Sequence, residues 1–473
     1  MTVDISEFHK FFNPNSIAIV GVSSGTYRFG GTSFLNKLQE SGFAGRLYPL
    51  NPKAETINDL KAYPNLSSLP ETPDLAIVCV AAKRIPDVLK ECAEVGTKHI
   101  HILTSGFQET GTKEGRALEE QVIAISKENG LLVIGPNCMG PYCPSSHLTA
   151  WGAIPGLSGP VGVISQSGGI TQRLTENLCS LGIGVDKAVS IGNEAVLTSR
   201  DFLAYMAEDN KIKVIAMYLE SAMNGSAFLD LAREVNRKKP IVLLKGGLTS
   251  VGASTVSSHT GSMAGERKLW EAFFRQTGVI QAHSIEEWVD TIAAFCTLPA
   301  PTGKGVFLIG GGGGNSVVFS DICIQEGLDV PKLSDSTMEV LRKTVPEAGS
   351  IAGNPLDMFQ VFQDAAYLGE LLELAYRDPA VSMIIVDRLI PRKAFHLPDL
   401  PDSTPAVIDF VKAVPNKKPT VFTVDSDGGD ETLAAEGALK RSQFSKAGIP
   451  AYPTFERAAK VLVHLYRYHT QRQ

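Results

Sequence analysis

The chain has 473 residues, of which 44% are hydrophobic and 20% are charged, and this composition is typical of a folded globular protein with about three domains. The formal net charge is −6, which excludes a broad electrostatic attraction to nucleic acid or to an anionic membrane. Any anionic ligand must therefore be held by local groups.

The cysteines and the N-terminal residues indicate the cellular compartment in which the protein is expected. Seven cysteines are scattered along the chain without a C-x-x-C pair, which favours a reducing compartment and argues against a zinc site. The first residues, "MTVDISEFHKFF", lack the pattern of a secretory signal, and no apolar run approaches the ~20 residues that a membrane span needs. We therefore expect a cytoplasmic protein.

Apolar, β-branched runs alternate with helical patterns along the chain, which predicts an α/β fold with parallel sheets. Three consecutive domains are expected over residues 1–150, 151–298 and 303–473, with a Pro- and Gly-rich linker at 296–305. The predicted strands of the first domain are 16–21, 46–51, 74–80, 99–104 and 131–135. The second domain opens with "GPVGVISQSGG" and closes with "SIEEWVDTIAAF", and the third opens with "GVFLIGGGGGN".

The first strand runs into the loop "VSSGTYRFGG" and then a helix, an arrangement that presents backbone amides to a phosphate. An NAD site needs G-x-G-x-x-G and an acid after the second strand. Here Ser23 stands two places after Gly21, and Lys53 stands where the acid would be. The pattern therefore disfavours an NAD-linked dehydrogenase and indicates another nucleotide-like ligand. A degenerate domain without a ligand stays open as the alternative.

The second and third domains each begin with a strand that enters a glycine-rich turn. The first turn contains Ser165, Ser167, Gly168 and Gly169, and the second runs from Gly310 to Gly314 and on to Asn315. Each can offer unpaired amides at a helix start, and neither has the lysine of a nucleotide P-loop, so a single phosphoryl group is the expected guest. The alternative is a turn that needs small residues only for packing.

His259 lies in "STVSSHTGSMAGE", where small residues leave an imidazole accessible. A neutral imidazole can accept a phosphoryl group when its second nitrogen donates to a partner. Glu220 ends the apolar strand of "VIAMYLESAM" and could be that partner, at the edge where α/β active sites form. The alternative for Glu220 is an ordinary exposed acid at a strand end.

Eight segments together resemble a known family: "LYPLNPKA", "SGFQETG", "GPNCMGP", "VISQSGG", "VSIGNEA", "YLES", "SSHTGSMAG" and "NPLD". The chain resembles the NDP-forming acyl-CoA synthetases, such as ADP-forming acetyl-CoA synthetase, and more distantly the succinyl-CoA synthetase α subunit. The resemblance covers nearly the whole chain. It implies a Rossmann-like CoA-binding domain followed by two flavodoxin-like (succinyl-CoA synthetase-like) domains.

The resemblance also implies roles for residues. His259 would be phosphorylated with support from Glu220, and two "power helices" would aim their N-termini at the phosphohistidine. The implied phosphate-binding set is Ser165, Ser167, Gly168, Gly169, Ser258, Gly261, Gly312, Gly313, Gly314 and Asn315. The implied CoA-binding set is Gly21, Ser23, Ser24, Arg28, Phe29, Gly30, Asn51, Lys53, Ala81, Thr104, Ser105, Gly106 and Asn137. Two departures are Arg28, where lysine is frequent in the family, and the third-domain turn "GGGGGNS".

The expected chemistry has three steps: phosphate attacks an acyl-CoA, His259 takes the phosphoryl group from the acyl phosphate, and ADP receives it. The chain has no ATP-grasp domains, so the resemblance implies a β subunit that binds ADP or ATP with Mg²⁺, in a hetero-oligomer that is expected to be a heterotetramer. No metal site is expected in this chain. The alternative is a non-catalytic regulatory protein that binds CoA or acyl-CoA. The sequence does not specify the acyl group, and Trp151 could either line its site or make a contact between domains.

Overall fold

The computed structural model describes residues 4–23, 30–149, 151, 156–260, 266–310, 312–345, 350–358, 364–389, 402–414, 418–425 and 431–470, apart from the side chains of residues 257–260 and 389. The chain divides into two compact units, residues 1–179 with 183–285 and residues 180–182 with 286–473. Within the described ranges, no helix is both long and apolar enough to cross a membrane.

The first unit begins with a five-stranded parallel sheet. Its strands are β1 (Ser16–Val20), β2 (Arg46–Leu50), β5 (Leu75–Val78), β6 (His99–Ile102) and β7 (Leu132–Ile134), while β3 (Thr56–Ile57) and β4 (Leu60–Lys61) form a separate hairpin. The spatial order is β2-β1-β5-β6-β7. Because the chain goes from β1 to β2 on one side and then to β5 on the other, the carboxyl end of β1 is the topological switch point, where α/β proteins bind ligands.

Four helices accompany this sheet: α1 (His9–Phe12), α2 (Gly31–Glu40), α3 (Ile85–Val95) and α4 (Lys113–Asn129). Helix α3 ends at Gly96, whose φ of 83° is a left-handed conformation suited to glycine. Helix α4 starts at Thr112, whose side chain accepts a hydrogen bond from the Gly115 amide. Apolar strand residues pack against the apolar faces of these helices to form the core.

The second sheet of this unit has six strands in the order β13-β12-β11-β9-β10-β8. They are β8 (Gly140–Tyr142), β9 (Val161–Ser165), β10 (Val185–Ser190), β11 (Val214–Leu219), β12 (Ile241–Lys245) and β13 (Ile280–Ala282). All pairs are parallel except β8 with β10. The helices are α5 (Gly168–Ser180), α6 (Ser199–Glu208), α7 (Gly225–Asn236), α8 (Ser250–Thr260) and α9 (Arg267–Thr277). Trp151 is buried, and its indole N–H donates to the Met139 carbonyl at 2.8 Å.

The second unit contains a four-stranded parallel sheet of order β14-β15-β16-β17. Its strands are β14 (Val306–Ile309), β15 (Met383–Leu389), β16 (Thr420–Asp425) and β17 (Ala451–Tyr452), and its helices are α10 (Ile285–Thr297), α11 (Gly312–Glu326), α12 (Asp335–Thr344), α13 (Ala365–Arg377), α14 (Thr404–Ala413), α15 (Glu431–Lys446) and α16 (Phe455–Thr470).

Two segments near the predicted domain boundaries pack with the sheet or unit on the far side of the boundary. Strand β8 precedes residue 150 and pairs with β10 of the second sheet. Helix α10, which we expected to close the second domain, packs in the second unit, where Asp290 pairs with Arg457 at 2.6 Å. The three-domain division at 150 and 300 stays a prediction.

Candidate functional site

The predicted CoA-binding residues follow four neighbouring strands of the first sheet. Gly21, Asn51, Ala81 and Thr104 come after β1, β2, β5 and β6, so the parallel sheet brings them to one edge. Gly21 has a φ of 95°, and a Cβ there would lie 2.7 Å from the Cys79 carbonyl oxygen. The switch point therefore requires glycine at this position.

Two of the predicted side chains hold the backbone of this edge in place. The Asn51 amide donates to the Val22 carbonyl at 2.7 Å and its oxygen accepts from the Lys53 amide at 2.8 Å. The Thr104 hydroxyl donates to the Val80 carbonyl at 2.7 Å. These two residues shape the site, while the Lys53 side chain stays exposed.

A pocket of about 470 Å³ lies beside Lys53. It is lined by Asn51, Pro52, Lys53, Ala54, Glu55, Lys61, Ala62 and Pro64. Two lysines against one glutamate give this pocket a net positive charge, which suits a phosphorylated ribose or a diphosphate.

The other predicted CoA residues have varied environments. The Ser23 amide donates to the Thr32 hydroxyl at 3.0 Å, Gly30 caps α2, and Ser105 is exposed. The amide of Gly106 donates to the Glu109 carboxylate and is therefore already engaged. Asn137 has a φ of 61° and donates to Asn193 at 3.3 Å, whereas Ser24, Arg28 and Phe29 lie outside the described residues.

A carboxylate pair that sequence analysis missed supports this edge. The Asn193 amide nitrogen donates to Glu109 at 2.7 Å and to Glu119 at 2.8 Å. Burial raises the pKa of Glu119 to about 7, because a charged form is poorly solvated there. Glu109 lies in the quoted segment "SGFQETG" and Asn193 lies in "VSIGNEA". Their place in these two segments was the feature of the sequence that could have identified them.

The turn between β9 and α5, here called the first cradle (residues 165–169), is fixed by its own serines. The Ser165 hydroxyl donates to the Ser167 carbonyl at 2.8 Å and accepts from the Ser167 amide at 3.1 Å. The Ser167 hydroxyl accepts from the Ile170 amide at 3.3 Å. Gly168 and Gly169 are the first residues of α5, so the turn lies at the positive end of the helix dipole.

Gln166 connects the first cradle to the end of β11, a contact that the sequence did not reveal. Its side-chain oxygen accepts from the Glu220 amide and from the Ser221 amide at 3.1 Å. Its side-chain nitrogen donates to the Ser221 carbonyl at 3.3 Å. The cradle and the predicted catalytic acid are therefore joined by one side chain.

Glu220 is a buried acid with a side chain 5% exposed. The Tyr218 hydroxyl donates to its Oε1 at 3.1 Å, and the Lys245 ammonium donates to its backbone carbonyl at 2.8 Å. Lys245 lies 4.8 Å from the Trp270 ring centre. Burial lowers the pKa of Lys245 to about 8, although Glu220 raises it. The alternative of an ordinary exposed acid at this position is wrong.

The segment that carries His259 leaves the sheet beside Glu220. The Gly246 amide donates to the Leu219 carbonyl at 2.9 Å, and a Cβ on Gly246 would lie 3.5 Å from Glu220 Cγ. Helix α8 then includes the backbone of Ser258 and His259 and packs against residues 108–110. The side chains of Ser258 and His259, and Gly261, lie outside the described part of the chain.

The second cradle (residues 310–315) belongs to the second unit. Gly312, with a φ of 72°, is the first residue of α11 and is followed by the exposed Gly313, Gly314 and Asn315. A Cβ on Gly313 would lie 3.7 Å from Asp357 Oδ2. Asp357 belongs to the quoted segment "NPLD", and burial raises its pKa. Across the described residues of the whole chain, no three His, Cys, Asp or Glu side chains are grouped as a metal site would require.

Three family models match the chain in sequence order. A "CoA binding domain" matches residues 15–144, a "Succinyl-CoA ligase like flavodoxin domain" matches 158–295, and a "Ligase-CoA domain" matches 306–472. Together they account for nearly all of the chain.

Named relatives agree with these models. The chain is 35% identical to the Acetate–CoA ligase [ADP-forming] II subunit alpha of Pyrococcus furiosus, over 93% of both chains, and 34% identical to the I subunit alpha of the same organism, over 97% of this chain and 96% of that one. It is similar in structure to the dinucleotide forming Acetyl-coenzyme A synthetase 1 of Ca. Korarchaeum cryptofilum in complex with phosphate and ADP, with a TM-score of 0.86, 31% identity and coverage of 98% and 97%.

Proposed function

The chain belongs to the family of ADP-forming acyl-CoA ligases, and from this premise we propose that it is the α subunit of an acyl-CoA synthetase. The reaction interconverts acyl-CoA, ADP and phosphate with a carboxylic acid, CoA and ATP. In this proposal one residue of this chain carries the phosphoryl group between the acyl phosphate and the nucleotide.

His259 is that carrier. Phosphate attacks the thioester carbonyl, which releases CoA as its thiolate and forms an acyl phosphate. An imidazole nitrogen then attacks the phosphorus, the carboxylate leaves, and the phosphohistidine passes its phosphoryl group to ADP. Glu220 holds the other imidazole nitrogen in its N–H form and stabilises the positive charge that develops on the ring.

One observation carries this proposal: Glu220 is buried at the point where the first cradle and the segment leading to His259 meet. Ser165, Ser167, Gly168 and Gly169 hold the phosphoryl oxygens through amides and hydroxyls at the N-terminus of α5. Ser258 and Gly261, near His259 in sequence, complete that contact. Gly312, Gly313, Gly314 and Asn315 at the N-terminus of α11 form a second phosphate site.

CoA occupies the carboxyl edge of the first sheet. Lys53 pairs with its phosphates in the positively charged pocket, with Arg28 on the first loop as a second cation. The backbone of residues 21–30, Ala81, Thr104, Ser105 and Asn137 line the remaining path. Gly106 contributes shape, because its amide already donates to Glu109.

A partner subunit completes the enzyme. Relatives named "subunit alpha" support a second polypeptide, which carries ATP-grasp domains and binds ADP or ATP with Mg²⁺ in a heterotetramer. The compartment is the cytoplasm, in agreement with seven cysteines that form no disulfide bond.

The decisive test incubates the chain with acetyl phosphate labelled with ³²P and measures acid-labile protein-bound phosphate. We expect label in the wild type and none in His259→Ala. His283→Ala, which changes an exposed histidine of the same unit, should keep the label. Equal labelling of His259→Ala and wild type would refute the carrier role, and an unlabelled wild type would favour the regulatory alternative.

The acyl group is identified by a separate measurement. The chain reconstituted with its partner subunit should form thioesters from ATP, CoA and one class of acid in a screen of short, branched and aromatic acids. Absence of any thioester from an assembled complex would argue against catalysis.

A further inference from the structure

Glu194 follows β10 in a conformation that few non-glycine residues adopt. Its φ is 56°, and its neighbours fix this geometry, since the Asn193 amide donates to the Pro136 carbonyl at 3.0 Å and the Ala195 amide donates to the Gly135 carbonyl at 3.2 Å. Such a conformation persists only where the surroundings hold it, and it is frequent at functional sites. The segment therefore cannot easily turn the Glu194 side chain outward.

The Glu194 carboxyl is buried, with the residue 2% exposed, and neither of its oxygens has a hydrogen-bond partner among the described residues. Polar groups of Ser199 and Gln166 lie near the carboxyl and favour its ionised form, although neither completes a hydrogen bond to it. A buried carboxylate without partners is costly, so the group needs either a proton or a ligand.

We propose that Glu194 is a positioning residue for phosphoryl transfer, which keeps Gln166 in place by packing beside it and, through Gln166, keeps the backbone of Glu220 in place. This inference rests on the proposed function. Gln166 forms this path, because it belongs to the first cradle and accepts from the Glu220 and Ser221 amides. A small shift of its amide group would displace both the cradle and the catalytic acid.

The charge of Glu194 determines when this arrangement holds. Burial raises the pKa of Glu194 to about 8, so its carboxyl is neutral at pH 7 and ionises above pH 8. An ionised Glu194 would add a negative charge near Gln166 of the first cradle, which disfavours a phosphoryl group there. Asp201 on α6 acts in the same direction by raising the pKa of Glu194.

A second group of the site titrates in the same range. Lys245 extends from β12 to the Glu220 carbonyl, and its pKa is lowered to about 8. Loss of its positive charge is the competing explanation for a fall in labelling above pH 8. The experiment must therefore separate an acid that gains charge from a cation that loses it.

The test measures the initial rate of protein labelling by ³²P-acetyl phosphate from about pH 6.5 to about pH 9.5. For the wild type we expect a fall above pH 8 that approaches tenfold per pH unit, as one deprotonation predicts. In Glu194→Gln, which keeps the shape and cannot ionise, labelling should persist at pH 7 and the fall should disappear. Lys245→Arg keeps a cation and should retain the fall.

Two more variants control for folding and for burial alone. Glu194→Ala should lower the labelling rate at pH 7. A higher rate in Glu194→Gln than in Glu194→Ala would show that a side chain of the same size and shape restores the position of Gln166. Asp387→Asn removes another buried acid, whose pKa burial raises, and it should leave the fall above pH 8 in place. A fall that persists in Glu194→Gln, or that disappears in Lys245→Arg, overturns the inference while the labelled wild type keeps the proposed function. An unlabelled wild type overturns both.

Discussion

The two cradles are built on the same strand arrangement and differ in how their turns are held. The first follows β9, which pairs in parallel with β11 from Val161↔Val214 to Ser165↔Tyr218. The second follows β14, which pairs with β15 from Val306↔Met383 to Ile309↔Val386. On its other side, β9 pairs with strand β10. On its other side, β14 has only an isolated bridge among the described residues, between Ile309 and Leu356.

Their chemistry differs at equivalent positions. Counting along the paired strands from Val214 and Met383, Leu389 takes the place of Glu220. The first cradle is held by serine hydroxyls and by Gln166, whereas the second has glycines at those positions. The same topology can thus supply an acid for an imidazole in one unit and a bare helix N-terminus for an anion in the other.

The largest effect on activity is expected from a substitution of Glu220, the acid that distinguishes the first cradle from the second. Glu220→Gln keeps the shape but removes the carboxylate that we propose as the support of the imidazole, so labelling of His259 by acetyl phosphate should slow by roughly 10²-fold. The measurement is the initial rate at pH 7 with the melting temperature as a folding check.

The matched control is Asp387→Asn on β15. Asp387 is buried, accepts from the Thr423 hydroxyl, and has its pKa raised to about 6. It is an acid near the end of the equivalent strand, and its loss should leave the labelling rate nearly unchanged. A similar loss in both variants would mean that Glu220 acts through general stability.

The sequence predicted the architecture because local patterns determine it. Alternating apolar runs and helical stretches gave the sheets, and strand–glycine–helix junctions gave both cradles. The position of Glu220 directly after β11 was also predictable, because an apolar run precedes it, whereas its catalytic role stays a prediction.

The supporting residues were not predictable, because they depend on contacts between distant segments. Gln166 binds amides 54 and 55 residues away, and Asn193 reaches carboxylates 84 and 74 residues away. The burial and conformation of Glu194 likewise arise from packing against residues 135 and 136. No period or spacing in the sequence encodes such partners.

A smaller effect separates two adjacent glycines of the first cradle. In Gly168→Ala the new Cβ would lie 2.5 Å from Met139 Cγ, so the free energy of unfolding should fall by about 1–3 kcal/mol. In Gly169→Ala the Cβ meets no described atom within 4 Å, so the helix should gain about 0.5–1 kcal/mol. Denaturant unfolding measures both, and a loss in Gly169→Ala as large as in Gly168→Ala would contradict this account of the packing.

The smallest change in stability is expected from a substitution in the second cradle. A Cβ on Gly314 also meets no described atom within 4 Å, and Gly314 lies in the first turn of α11, so Gly314→Ala should raise the free energy of unfolding by about 0.5–1 kcal/mol in the absence of phosphate.

The same methyl group would stand beside the amides that we propose as a phosphate site. Added phosphate stabilises a protein only as far as it binds the folded state. Phosphate should therefore raise the melting temperature of Gly314→Ala by less than it raises that of the wild type. Gly448→Ala serves as the control, since Gly448 is a glycine of the same unit outside the cradle, although its φ of 80° makes alanine destabilising there. Its response to phosphate should match that of the wild type. An undiminished response in Gly314→Ala would show that the second glycine turn holds no phosphate, and the two cradles would then share a topology without sharing a ligand.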